Sequence, residues 1–236
     1  MNEIHRKKTA LVTGAASGLG FAAATALAEA NFQVVGLDVR QFDHPSCMTT
    51  QLGDVSDAAD IDRVVTEVNE TIGPIDAVVN SAGVDHTYWL EQMTVAQFDQ
   101  IIGVNPRGPF LVAKVVWPIM KANGGGHIVN VASTAAVRVW SGAAAYHAFK
   151  FGLIGLSRAM KLEGRQDRIR VTTIIPGGMD TGFFARFAEQ GIPAPDPATL
   201  QNPADVARAI VFALSSPASS AIQELVVTPP NEPGWP

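Results

Sequence analysis

The chain has 236 residues, 47% of them hydrophobic and 17% charged, with a formal net charge of −5 and no long charged run. Such a composition suits a globular α/β protein and disfavours nucleic-acid binding, which needs a concentrated basic surface. Cys47 is the only cysteine, so no internal disulfide forms; neither an apolar signal core in Met1 to Lys8 nor a bilayer-length apolar stretch is visible, and a cytoplasmic protein without membrane attachment is expected.

The apolar run Thr9 to Thr13 predicts a strand and the alanine-rich pattern at 18–30 a helix. Between them lies the turn Thr13-Gly14-Ala15-Ala16-Ser17-Gly18-Leu19-Gly20. Its glycines have no Cβ, so the backbone can turn tightly, approach a ligand and pack the new helix on its strand. The helix start offers unpaired N–H groups and a positive dipole end, a site for a pyrophosphate. A second strand at 33–38 ends in Asp38, about 20 residues on, where a carboxylate is expected to bind the adenosine ribose. A 2′-phosphate would meet like charge there, and Ala15, Ala16 and Ser17 are not basic. NAD is therefore expected rather than NADP, with Arg40 pointing the other way.

Further strands are expected at 48–52, 75–80, 127–132, 169–175 and 224–228, and helices at 57–72, 94–122, 142–163 and 203–215. The alternation predicts one α/β domain over residues 1–236: a Rossmann-type, doubly wound parallel sheet of about seven strands with helices on both faces. Pro109 has no N–H for the carbonyl of Asn105, and Pro106 has none for Ile102. Either the Asn105 carbonyl is left free within a broken helix, or the prolines simply end one helix and begin another.

Tyr146 and Lys150 stand four apart on a helical pattern and so share a face. An ammonium near a tyrosine is expected to draw its pKa down from about 10 by roughly one to three units, which would make Tyr146 a general acid/base. Ser133, at the end of the fifth strand, is placed to bond the reacting oxygen. Phe183, Phe184 and Phe187 suit a lid, a core cluster or a subunit contact equally. Asp85, His86, Trp89, Arg138 and Trp140 fall near the expected active-site edge, and Arg138 or Arg186 is a candidate for binding a substrate carboxylate. His86 and His147 show no metal-ligand spacing, so no metal is expected. The proline-rich tail, Thr228 to Pro236, has Trp235 as its candidate anchor.

The glycine turn, Asn80-Ser81-Ala82-Gly83, Asn105, Ser133, Tyr146-His147-Ala148-Phe149-Lys150 and Pro176-Gly177 stand in the order seen in the short-chain dehydrogenase/reductases. Over nearly all of residues 8–228 the chain resembles the single-domain branch of that family. The resemblance implies a nicotinamide cofactor and reversible oxidation of a small-molecule alcohol to a carbonyl, with Ser133, Tyr146, Lys150 and Asn105 as the catalytic set. Lys150 would hold the nicotinamide ribose, and the Asn105 carbonyl a water in a proton relay to Lys150. Gly14, Ser17, Gly18, Leu19, Gly20 and Asp38 would bind the cofactor with Asp54 and Val55 at the adenine. Asn80, Ala82 and Gly83 would stand beside the adenine ribose; Pro176, Gly177, Met179 and Thr181 would cover the nicotinamide. Ser81 departs from the commoner second asparagine. A homodimer or homotetramer built on the helices at 105–122 and 142–163 is also implied, the tail's departure from the family's Val-Asp-Gly-Gly ending leaving the choice open. An NADPH-dependent carbonyl or 3-oxoacyl reductase and a non-catalytic NAD-sensing protein remain the alternatives.

Overall fold

Alternation along β1 (Thr9–Thr13) sets the layering of the computed structural model, which describes residues 6–232. Successive strand side chains point to opposite faces. Ala10 and Val12 pack with Leu19, Ala23, Val206 and Ile210 of α1 (Gly18–Glu29) and α7 (Pro203–Leu214). Leu11 faces the other way, towards α2 (Ala58–Thr71), α4 (Gly108–Ala122) and α5 (Ala144–Glu163). Both faces of the strand are apolar because both are covered, as a parallel sheet requires.

The sheet continues through β2 (Gln33–Asp38), β3 (Thr49–Leu52), β4 (Ile75–Asn80), β5 (Gly126–Val131), β6 (Ile169–Pro176) and β7 (Glu224–Val227). All seven strands are parallel, in the order β3-β2-β1-β4-β5-β6-β7. The order reverses between β1 and β4, so loops at their carboxyl ends diverge and leave a crevice. Thr13 Oγ1 holds that edge together by accepting hydrogen bonds from the Ser81 and Ala82 N–H groups, each at 3.1 Å. Along α2, Ile61, Val64, Val65 and Val68 form the buried stripe of an amphipathic helix, each side chain contributing about 1.5–3 kcal/mol on burial.

The expected strands and most expected helices are found within about two residues of their sequence-based limits. The helix expected at 94–122 is interrupted: α3 (Val95–Ile102) leads into a π-helical turn, Gly103–Arg107, before α4 begins. Pro106 and Pro109 cannot donate to the carbonyls four residues back, and the wider turn accommodates the missing bonds. A polar ladder anchors α5: Asn80 Nδ2 donates to Asn130 Oδ1, and Asn130 Nδ2 to Ser157 Oγ, each at 2.8 Å. Among the described residues no helix is long and apolar enough to cross a membrane.

Candidate active site

A cavity of about 990 Å³ runs along the carboxyl edge of the sheet, from the end of β2 to the segment after β6. At one end is the glycine turn. Gly14 has φ +69° and a Cβ there would stand 2.8 Å from Ala82 Cα, so the turn lies directly on the loop after β4. A Cβ on Gly20 would come within 2.1 Å of the Gly14 carbonyl oxygen, which is how α1 starts so close to β1. Asp38 is buried beside this turn. Its Oδ2 accepts the Ala16 N–H and its Oδ1 the Arg40 N–H, both at 3.1 Å. Arg40 also reaches Ser17 Oγ at 3.0 Å. Ser17, Gly18, Leu19, Asp54, Val55, Ala82 and Gly83 line the same half of the cavity. Together they form a cradle with open backbone approach, a helix N-terminus and a carboxylate, which fits a dinucleotide.

The other end holds Ser133, Tyr146 and Lys150. Ser133 caps a 3-10 turn, Thr134–Ala136, by accepting the Ala135 N–H at 3.1 Å, and its hydroxyl also bonds Tyr146. One turn along α5, Lys150 Nζ donates to the Val131 carbonyl at 3.0 Å and lies 5.6 Å from the centre of the Tyr146 ring. Their spacing on the helix therefore does bring the two together. Thr181, beside Gly18, accepts the Phe183 N–H at 3.3 Å, and Pro176, Gly177 and Met179 line the wall between the two halves.

Electrostatics in this half differ from the sequence-based expectation. Burial pushes the Tyr146 phenol up, outweighing the Ser133 hydrogen bond that favours the phenolate, so Lys150 does not leave it with a lowered pKa. The same burial lowers the Lys150 ammonium to about 8, with Asp85 opposing the change. Desolvation dominates both groups because both side chains are buried. Phe183 packs against Tyr146 with ring centres 5.9 Å apart, and Phe184 stacks edge-on between Phe183 and Phe187 at 5.5 and 5.3 Å.

Two residues expected in the cofactor-binding or catalytic set lie outside the cavity lining, as does the exposed Trp89. Asn80 is buried in the ladder to Asn130. Asn105 is buried in the π-helical turn, where its side chain clamps Val84 by accepting its N–H at 2.8 Å and donating to its carbonyl at 2.7 Å. The two arginines considered for a substrate carboxylate already carry acidic partners: Arg186 donates to Asp85 and Arg138 to Glu232. Trp235 lies outside the described residues. Sequence reasoning missed His147 as a staple. The Trp140 N–H donates to its Nε2 at 3.0 Å, leaving Nδ1 to donate to the Ala135 carbonyl at 2.9 Å. It also missed Asn231 and Glu232, which the fold brings to the cavity from the tail.

A dinucleotide cradle at one end of a crevice and a serine, tyrosine and lysine at the other define an oxidoreductase of the Rossmann type. Residues 8–191 match the short chain dehydrogenase family, and the chain belongs to it. Members of that family use a nicotinamide cofactor and small-molecule substrates. The chain is 31% identical to an uncharacterized oxidoreductase of Staphylococcus aureus over 94% of its own length and 97% of that protein. It is also 31% identical to glycine betaine reductase ATRR of Emericella nidulans, over 96% of this chain but only 19% of that much longer protein. Levodione reductase, a solved structure, superposes with a TM-score of 0.87 at 28% identity, over 98% of this chain and all of that one.

Proposed function

We propose that the protein is an NAD-dependent alcohol dehydrogenase or ketone reductase in which Tyr146 is the general acid/base. The observation that carries this reading is the meeting of Ser133, Tyr146 and Lys150 at one end of a crevice whose other end is the glycine turn and Asp38. Gly14, Gly18 and the start of α1 would hold the pyrophosphate, Asp38 the adenosine ribose, Asp54 and Val55 the adenine, and the Pro176 to Thr181 segment the nicotinamide. When bound, the cofactor supplies two-electron redox chemistry at the substrate carbon.

The protein's own contribution is proton handling and positioning. Ser133 Oγ orients the substrate oxygen; the Tyr146 hydroxyl gives its proton to that oxygen in reduction, becoming phenolate, and it is the phenolate that takes the proton in oxidation. Lys150 would hold the nicotinamide ribose. Asn105, held by Val84, keeps its own backbone carbonyl in place for a water that passes protons to Lys150. Phe183 and Phe184 exclude solvent from the reacting atoms.

The pairing of Arg138 and Arg186 with acids supports an uncharged substrate. A specific observation favours NADPH instead: Arg40 stands at Ser17 and Asp38, where a 2′-phosphate would lie. Exposed Phe110 and Phe151 on α4 and α5 support a homodimer or homotetramer. The test is reduced-cofactor formation from NAD and from NADP with panels of neutral secondary alcohols, polyols, hydroxysteroids and hydroxy acids. Turnover is expected with NAD and neutral alcohols and should vanish in Tyr146→Phe with cofactor binding retained. Cofactor binding without turnover of any panel would favour a binding protein.

A further inference from the structure

Arg138 and Glu232 are far apart in sequence, yet they close on each other at the reaction half of the cavity, which both line. Glu232 reaches it through a defined path. The Val227 carbonyl, at the end of β7, accepts the Gly177 N–H at 2.9 Å and Gln201 Nε2 at 2.8 Å. Beyond it, Pro229 is buried and its carbonyl accepts the Glu232 N–H at 3.0 Å, turning the tail back over the Pro176-Gly177 segment. A Cβ on Gly177 would stand 2.7 Å from Glu232 Oε2, so the carboxylate lies directly over the Gly177 backbone. Arg138 faces it from beyond the 3-10 turn, its guanidinium 5.9 Å from the centre of the Trp140 ring. The side chains are 26% and 12% exposed.

A guanidinium beside an aromatic ring in a partly dry pocket is well suited to recognising a carboxylate. Here the chain supplies that carboxylate itself. An acidic substrate would have to displace Glu232 and then sit near its negative charge, at a cost that a neutral substrate avoids. We propose that Glu232 is a specificity-determining residue, a tethered carboxylate that occupies Arg138 and so turns an acid-accepting wall into one that selects uncharged alcohols and carbonyl compounds. The inference rests on the reading of the protein as an alcohol/carbonyl oxidoreductase.

The test uses acetoacetate and methyl acetoacetate as a matched acid and ester, reduced by the full-length protein and by Glu232→Gln. The ratio of kcat/KM for acid over ester is expected to rise at least tenfold in Glu232→Gln, to stay at the parent value in Glu232→Asp, and to fall back in Arg138→Gln/Glu232→Gln. Benzoate titrated into the protein saturated with reduced cofactor gives a readout independent of turnover. Glu232→Gln should bind it at least tenfold more tightly than the parent, and the double variant should not. If neither keto compound is reduced by any variant, the catalytic reading fails for these compounds while benzoate binding still decides the role of Glu232. Benzoate affinity unchanged in Glu232→Gln, or an unchanged acid-to-ester ratio where both are reduced, overturns the proposal.

Discussion

Arg186, on the short helix α6 (Ala185–Glu189), donates from Nη2 to Asp85 Oδ2 at 2.9 Å and so ties the segment after β6 to the loop after β4. The guanidinium also lies 4.2 Å from the centre of the Phe183 ring, the same ring that packs on Tyr146. Thr87 Oγ1 donates to the same Asp85 oxygen at 3.0 Å. The 182–187 segment is therefore held beside the proposed acid/base by an ion pair and by aromatic contacts.

Breaking that pair should loosen the 182–187 segment before it unfolds the protein. Asp85 is 6% exposed and Arg186 21%, so the pair is mostly desolvated. Removing one partner of a fully buried pair costs about 3–5 kcal/mol, and the partial exposure of Arg186 should reduce this to about 1–3 kcal/mol. Arg186→Gln is expected to raise substrate KM several-fold and to speed amide hydrogen exchange at 182–187, leaving cofactor affinity within about twofold. Adding Asp85→Asn should recover part of the stability loss in urea unfolding. Strictly additive losses would show that the two side chains are not coupled.

Burial of Lys150 makes stability depend on pH. Its ammonium is lowered from 10.5 to about 8 in the folded chain. Between these values the unfolded chain holds a proton that the folded chain has released, so stability rises with pH across the window, by about 3 kcal/mol in all. Below about 8 both states are protonated and the burial penalty is present in full. Lys150→Met should flatten the rise, measured as urea unfolding free energies at several pH values from 7.5 to 10. Parallel curves for parent and variant would mean that Lys150 is not desolvated.

Cofactor choice should turn on Asp38. Its carboxylate is fixed by the Ala16 and Arg40 N–H groups and has remaining lone pairs for ribose hydroxyls, but it repels a 2′-phosphate. Asp38→Ser leaves Arg40 nearby without the opposing charge. NADPH affinity is expected to rise at least tenfold and NADH affinity to fall, read by direct fluorescence titration of both. Tighter NADPH than NADH binding in the parent protein would reverse the cofactor assignment.

The legible parts of this molecule are those set by local rules. Alternation and apolar runs marked the strands because both faces of a parallel sheet are covered, and the glycine turn marked the cradle because Gly14 and Gly20 meet backbone where a side chain cannot fit. Pro106 and Pro109 announced an interruption, although not that it would take the form of a π-helical turn. What stayed hidden depends on distant pairs. Arg186 with Asp85 and Arg138 with Glu232 are separated by 101 and 94 residues, and no periodicity links them. The direction of the Tyr146 shift was misjudged for the same reason: a nearby ammonium is visible in sequence, whereas the tertiary burial that desolvates both groups is not.

Two glycine substitutions should separate close packing from simple backbone freedom. Gly155 lies inside α5 and a Cβ there meets nothing within 4 Å, so Gly155→Ala should stabilise the chain by about 0.5–1 kcal/mol through unfolded-state entropy and helix propensity. Gly20 also lies in a helix, α1, but its Cβ would stand 2.1 Å from the Gly14 oxygen and 2.6 Å from the Gly14 carbonyl carbon. Those are backbone atoms, and the turn would have to move. Gly20→Ala is expected to cost about 1–3 kcal/mol and to weaken cofactor binding more than tenfold. Thermal unfolding with NADH titration checks both variants. Normal NADH binding by Gly20→Ala would show that the turn is not the cofactor cradle, whereas destabilisation by Gly155→Ala would place a second copy of the chain against the exposed face of α5.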